Sequence, residues 1–331
     1  MIPFSILDLA PVNDGESVSQ SFANSRQLAI NAEQNGYHRI WLAEHHGMSA
    51  VASAATSVVI GHIGASTQKI RIGAGGIMLP NHSPLVIAEQ FGTLAALFPD
   101  RVDLGLGRAP GTDMATARAL RRNLNASVDQ YPEDIRELQR YLGERQADQQ
   151  TVAVPGVGSK VPLWLLGSSL YSAQLAAQMG LPYSFASHFA PDHLLEAIQL
   201  YRHYFQPSVH LEKPYVMVGV MAVVADTDEE ARYLMTSVQQ QFVNLRRGAN
   251  RAFPRPVDDM QSFWSPMEKA AVEHTLTYAL VGSVDTVRMK LQSFMAETQA
   301  DELIVSIPVH QLDARLKALE LLAKTGLMKA A

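Results

Sequence analysis

Four short polar runs carry residue types that could do chemistry: Glu44-His45-His46, Asn81-His82, Arg108 and Gly167-Ser168-Ser169. Each follows a run of apolar residues, so each stands where a buried strand would end. Arg108 comes after Gly105 and Gly107 and before Gly111, a fixed cation where small side chains leave room. Its planar guanidinium matches the oxygens of a phosphate two at a time. Gly167-Ser168-Ser169, between a strand and a helix, offers backbone N–H groups, hydroxyls and a helix start, all of which favour an anion. Serines at such a place also act as plain helix caps; Arg108 at a neighbouring strand end tips the balance toward phosphate. Gly73, Gly75 and Gly76 interrupt the strand 70–79, and glycine inside a strand marks close approach of something else to the backbone. A flat anionic ligand answers both observations.

His45 and His46 are adjacent, so in extended chain they point to opposite faces. One can enter a cavity; the other is expected to hydrogen bond behind the strand. HExxH spacing is absent and acidic partners are sparse, so no metal site is expected. His82 reads as a corner residue. Asp8, Ser187, His188 and His310 complete the polar residues at strand ends. Lys69, Lys160 and Lys213 precede strands and fall on the opposite rim, which disfavours a Schiff-base lysine. Neither a complete G-x-G-x-x-G nor a Walker loop is present.

These residues need a scaffold that brings strand ends together. Residues 70–79, 84–97 and 102–108 read as strand, helix and strand, with Ser83 as N-cap and Pro84 at the first helical position. Further strand-like runs cover 4–9, 38–43, 163–166, 183–186, 216–224 and 302–307, with helical patterns between them. Eight strands alternating with helices specify an α/β fold, the (β/α)8 TIM barrel, as one domain over 1–331 with insertions after strands 4 and 7. The second insertion, 246–275, reads as a lid-like segment that Pro254, Pro256 and Pro266 keep irregular. Its Arg246, Arg247, Arg251 and Arg255 make either an anion-attracting lid or a solvated loop. The helix expected over 51–65 is apolar around much of its circumference, which suggests a barrel on one side and a second copy of the chain, a homodimer, on the other.

A net charge of -5 gives no basic field for nucleic acid or an anionic membrane. Cysteine is absent, which excludes thiolate chemistry and disulfides. No apolar run reaches the roughly 20 residues of a membrane span, and no basic segment followed by an apolar one opens the chain. A cytoplasmic protein is expected.

Four motifs in order, WLAEHHG (41–47), IGAGGIMLPNHSPLVIAEQFGTL (72–94), DRVDLGLGRAPG (100–111) and LLGSSLYSAQLAAQMGLPYSFASHF (165–189), resemble the bacterial luciferase-like flavin monooxygenases. The resemblance implies a barrel that takes reduced FMN from a separate NAD(P)H:flavin reductase and uses O2 to oxidise a small organic substrate. It implies that Arg108 and Arg118 hold the phosphate with Ser169 and Ser172, and that Gly167 and Ser168 add backbone contacts. It also implies that Ala74, Gly75 and Gly76 lie against the flavin ring with a cis peptide between the two glycines, and that His45 is the catalytic residue. Light-emitting members carry a cysteine just before the arginine; Gly107 stands there, which argues against light emission. Three rivals are a deazaflavin-dependent oxidoreductase of the same superfamily, a non-catalytic flavin-binding protein, and a phosphosugar isomerase with Glu44 as base.

Overall fold

The computed structural model describes residues 1–109, 114–120 and 130–331. Among them nine parallel strands occur: β1 (Phe4–Asp8), β2 (Arg39–Leu42), β3 (Arg71–Met78), β4 (Val102–Gly107), β5 (Leu163–Gly167), β6 (Tyr183–Phe185), β7 (Val216–Val224), β8 (Leu280–Gly282) and β9 (Glu302–Ser306). Eight of these close a ring in which β1 to β7 follow chain order and β9 joins β7 back to β1, a TIM barrel. The ninth, β8, lies outside the ring. At nine residues β7 is long enough to pair with β9 through Met217–Met221 and with β8 through Ala222–Val224.

The helices are α1 (Val18–Gln34), α2 (Thr56–Gly64), α3 (Pro84–Leu97), α4 (Met114–Leu120), α5 (Tyr131–Leu142), α6 (Leu170–Met179), α7 (Leu194–Tyr204), α8 (Asp228–Arg246), α9 (Pro266–Thr275), α10 (Val284–Thr298) and α11 (Leu312–Ala323). No described helix is long and apolar enough to cross a membrane. Gly111, expected beside Arg108, lies outside the described residues, as do 112, 113 and 121–123 of the helical stretch expected there.

Two elements differ from the sequence reading. The segment 246–275 contains the helix α9, begun by a capping box in which Ser265 and Glu268 satisfy each other's backbone N–H and Pro266 takes the first helical position. Its irregular part is therefore confined to 247–265, and β8 follows as a strand too short to stand out in sequence. The helix expected over 51–65 forms only over α2. Residues before it cover strand ends instead: Val51 bridges Pro11 and the Ser53 hydroxyl donates to the carbonyls of Ala43 and Leu9.

Inside the barrel, side chains stack in layers. At the floor, the buried Arg39 guanidinium bonds Asp103 at 2.7 Å and Glu302 at 2.8 Å. Ser5 and Tyr215 donate to Glu302, and Trp41 Nε1 donates to Asp103 at 3.3 Å. Above them lie Leu7, Trp41, Trp164, Met217 and Ile304. The two indoles meet edge to face with centroids 5.3 Å apart, and Arg39 stands 4.8 Å from the Trp164 ring.

Removing one partner of a buried charge network leaves the others desolvated without compensation. Arg39→Met is expected to lower stability by about 3–5 kcal/mol, read as the shift in urea-induced unfolding; a loss under about 1 kcal/mol would show that the floor tolerates unpaired carboxylates.

Candidate active site

The C-terminal ends of the strands bring the polar runs to one mouth. β5 ends in Gly167, and α6 starts three residues later with Ser169 as its N-cap, its side chain accepting from the Ser172 N–H. Ser172 Oγ donates to the Ser169 carbonyl at 2.8 Å and lies 3.1 Å from the Tyr183 hydroxyl. A Cβ on Gly167 would stand 2.2 Å from Ser172 Oγ, so only glycine lets the strand pass this close to the helix start. The serines are thus genuine caps, and the first N–H groups of α6 remain for another acceptor. Arg108, at the end of β4, places its guanidinium 4.2 Å from the centre of the Tyr171 ring, in the first turn of α6. That stacking carries the cation to the anion-favouring helix start. Arg118 lies exposed on α4, and α4 sets Thr116 against Gly47.

The wall beside them is β3. The peptide between Gly75 and Gly76 is cis, as expected, and the pairing with β4 shifts register between Gly75 and Ile77. A Cβ on Gly76 would fall 2.6 Å from the Gly105 carbonyl oxygen, and one on Gly105 would fall 2.3 Å from that of Ala74. The glycines thus let β3 and β4 run closer than side chains allow. At Gly75 a Cβ would meet Leu7 at 2.8 Å and Trp41 at 3.0 Å, so this position faces the barrel interior above the indoles.

Extended chain continues past β2, since Ala43 N–H donates to Asp8 and Glu44 N–H to the Gly76 carbonyl. Ala43 belongs to the interior cluster, so alternation puts Glu44 on the outer face, His45 inward and His46 outward. The outer face is a clamp. Glu44 is fully buried; its Oε1 lies 2.6 Å from His46 Nε2 and 2.8 Å from His82 Nε2, while Oε2 accepts from the Met78 N–H at 3.0 Å. Burial raises its carboxyl, but the bonds from His82, His46 and Met78 outweigh this and hold it below the usual carboxylate range. His46 therefore hydrogen bonds behind the strand as expected, and His82 ties the corner after β3 to the same acid.

On the inner face, His45 Nδ1 is buried without a hydrogen-bond partner among the described residues. Burial lowers its pKa, with Glu44 working against that shift and His46 adding to it. His188, three residues beyond β6, has a buried Nδ1 in the same condition. Burial, aided by the charge of His45, pushes its pKa down to about 4. Its ring fits because β7 has Gly219 there: a Cβ would lie 2.5 Å from His188 Nδ1. A glycine in the middle of VMVGVMAVV was the sequence signal for this neighbour. The inserted segment also reaches the mouth. Asn250 donates to the Gly47 carbonyl at 2.7 Å and accepts from the Ser49 N–H at 2.6 Å, bracing the turn after His46. Phe253 bonds the loop after β1 and stacks on His310. Nothing in the sequence pattern marks Asn250.

Comparisons with known proteins bear on the family and the fold. A family model described as luciferase-like monooxygenase matches residues 2–302. A luciferase-like monooxygenase of Escherichia coli K12 is 54% identical over 320 residues, covering 97% of this chain and 96% of that protein. The N-acetyl-S-alkylcysteine monooxygenase of Bacillus subtilis is 36% identical over 254 residues, 75% of each chain. Among solved structures, apo-MsnO8 is 33% identical with a TM-score of 0.92 over all of both chains. The FMN-bound oxygenating constituent of 3,6-diketocamphane monooxygenase from Pseudomonas putida shares the fold at 19% identity, with a TM-score of 0.72 over 99% of each chain.

The neutral imidazole of His188 makes stability depend on pH. In the unfolded chain it takes a proton below 6.5, whereas the folded ring resists until about 4. The unfolded state binds the extra proton across that window, so stability falls as pH drops through it. The urea midpoint is expected to decline from pH 6.5 to 4, and less steeply in His188→Asn; identical slopes in both proteins would contradict this source of acid sensitivity.

Proposed function

The chain belongs to the luciferase-like monooxygenases, and from that premise we propose that it is the oxygenase of a two-component system, taking reduced FMN from a separate NAD(P)H:flavin reductase and using O2 to oxidise a small organic molecule. One observation carries the cofactor reading: Arg108 stands over the start of α6, on the same mouth as the glycine wall and His45. These residues fit FMN. The guanidinium and the unclaimed N–H groups of α6 suit a phosphate dianion, and Ser169 and Ser172 would add hydroxyls to it. Gly75 and Gly76, with Ala74 before them, present bare backbone where a planar ring system would lie. His45 offers an unpartnered nitrogen at the inner end of the mouth.

Bound FMN supplies the electrons and activates oxygen; the protein supplies placement, exclusion of water and proton handling. Arg108 holds the phosphate end and so sets how deep the ring lies over the Trp41 and Trp164 floor. His45, uncharged near neutral pH because of burial, accepts a proton at its free Nδ1 or, once charged, returns one. Glu44 keeps that ring facing inward from behind. The relative named for N-acetyl-S-alkylcysteine makes a thioether the first substrate class to try. Exposed Val58, Val86 and Leu97 on α2 and α3 support a homodimer through that face.

Anaerobic titration tests the cofactor: reduced FMN is expected to saturate the protein, and saturation by reduced deazaflavin alone would overturn the reading. Arg108→Ala is expected to weaken FMN binding by about tenfold to a hundredfold, the loss of a charge-assisted hydrogen bond. His45→Ala is expected to keep FMN affinity and lose roughly 10²- to 10⁴-fold in product formation, measured as sulfoxide from N-acetyl-S-methylcysteine with a reductase present; unchanged turnover would remove His45 from the chemistry.

A further inference from the structure

His45 has a counterpart that neither the resemblance nor the comparisons assign. In the ring of eight strands, β2 and β6 are four places apart by either route, so their ends face each other across the mouth. His45 follows β2 and His188 follows β6. We propose that His188 is a second substrate-contacting residue, set opposite His45, and that the Nε2 edge of its ring, turned away from Gly219, hydrogen bonds a polar group of the organic substrate beside the atom that is oxidised. The proposal rests on the flavin-dependent reading above for the place of the reaction and goes beyond it in assigning the residue.

Three features of the structure carry it. First, the ring is placed rather than merely tolerated: Gly219 vacates its volume on β7, and Ser187 Oγ donates to the Gly219 carbonyl at 2.6 Å, pinning the residue before it. Phe189 backs the imidazole edge to face, with centroids 4.9 Å apart. Second, His188 is only partly buried while its Nδ1 is sealed over Gly219, so the edge of the ring that carries Nε2 is the one left for a ligand. Third, the phosphate end is assigned to β4 and β5, between the two histidines on one side of the ring, so a ligand reaching inward from that end would pass between the imidazoles. The lowered pKa of His188 agrees with this, since an uncharged ring donates or accepts according to its tautomer.

The first test needs no flavin. Diethyl pyrocarbonate modifies unprotonated, reachable imidazoles, and peptide mass spectrometry of the apo protein treated at pH 7 would locate the adducts. His188 is expected to react within about threefold of the rate at His45; a His188 that stays unmodified while His45 reacts would show a ring packed as core and overturn the proposal. The second compares His188→Leu with His188→Gln, whose amide nitrogen reaches the position of Nε2. His188→Leu is expected to raise KM for N-acetyl-S-methylcysteine at least tenfold while the FMN dissociation constant stays within twofold, and His188→Gln to restore most of the loss. Wild-type KM in His188→Leu, or loss of FMN binding in both variants, would also overturn it. If the wild type binds no FMN, it is the functional reading that fails, and the carbethoxylation result alone decides the role of His188.

Discussion

A single buried guanidinium sets the register of the barrel. Arg39 joins β2 to Asp103 on β4 and Glu302 on β9, while Ser5 and Tyr215 bring β1 and the start of β7 to the same carboxylate. Side chains alternate along a strand, so fixing one inward residue fixes every second one after it. From Arg39 the inward series is Trp41, Ala43, His45; from Asp103 it is Gly105 and Gly107; from Glu302 it is Ile304 and Ser306. A slip of one residue in β2 would turn Glu44 into the mouth and His45 away from it. Such a network gains little net stability over an apolar core because desolvation offsets its attraction. Its consequence here is geometric, since charges at the floor decide which imidazole reaches the mouth.

Space at the mouth comes from missing side chains. Gly76 and Gly105 allow β3 and β4 to approach until backbone nearly touches backbone. Gly75 leaves the indole floor uncovered, Gly167 lets β5 reach the start of α6, and Gly219 admits the His188 ring. Each position would carry a branched residue if strand propensity alone decided. The glycines weaken their strands to allow these close approaches above a closely packed floor, and the barrel tolerates this because its remaining strand positions are almost wholly buried and apolar.

Much of this was legible in sequence because barrels write their sites at strand ends. Eight apolar runs separated by helical patterns defined the ring, and past the ends of those runs Glu44, His46 and His82 proved to be neighbours, as did Arg108 and the start of α6. Opposite orientations for His45 and His46 followed from alternation alone, and the glycine pair stood out as wrong for a strand. What escaped depended on three-dimensional pairing. Leu280–Gly282 is three residues long and has meaning only beside the second half of β7. Ser265 and Glu268 have capping-box spacing, yet the surrounding prolines masked it. The bracing of the Gly47 turn by Asn250 spans about two hundred residues of chain, and local pattern carries no trace of it.

Glu44, His46 and His82 have the residue types of a metal site, with ligand atoms all within 4.8 Å of one another. In this structure they hydrogen bond to one another. Donors bound at about 2.0–2.2 Å to a tetrahedral ion stand roughly 3.3 Å apart, whereas both Nε2 atoms lie 2.6 and 2.8 Å from a single carboxylate oxygen. Those are hydrogen-bond distances, and the other oxygen is already held by the Met78 N–H. The acid thus works as a bracket between the end of β2, the bulged end of β3 and the corner that carries His82. Because it grips from the outer face, it can fix the direction of His45 without occupying the mouth.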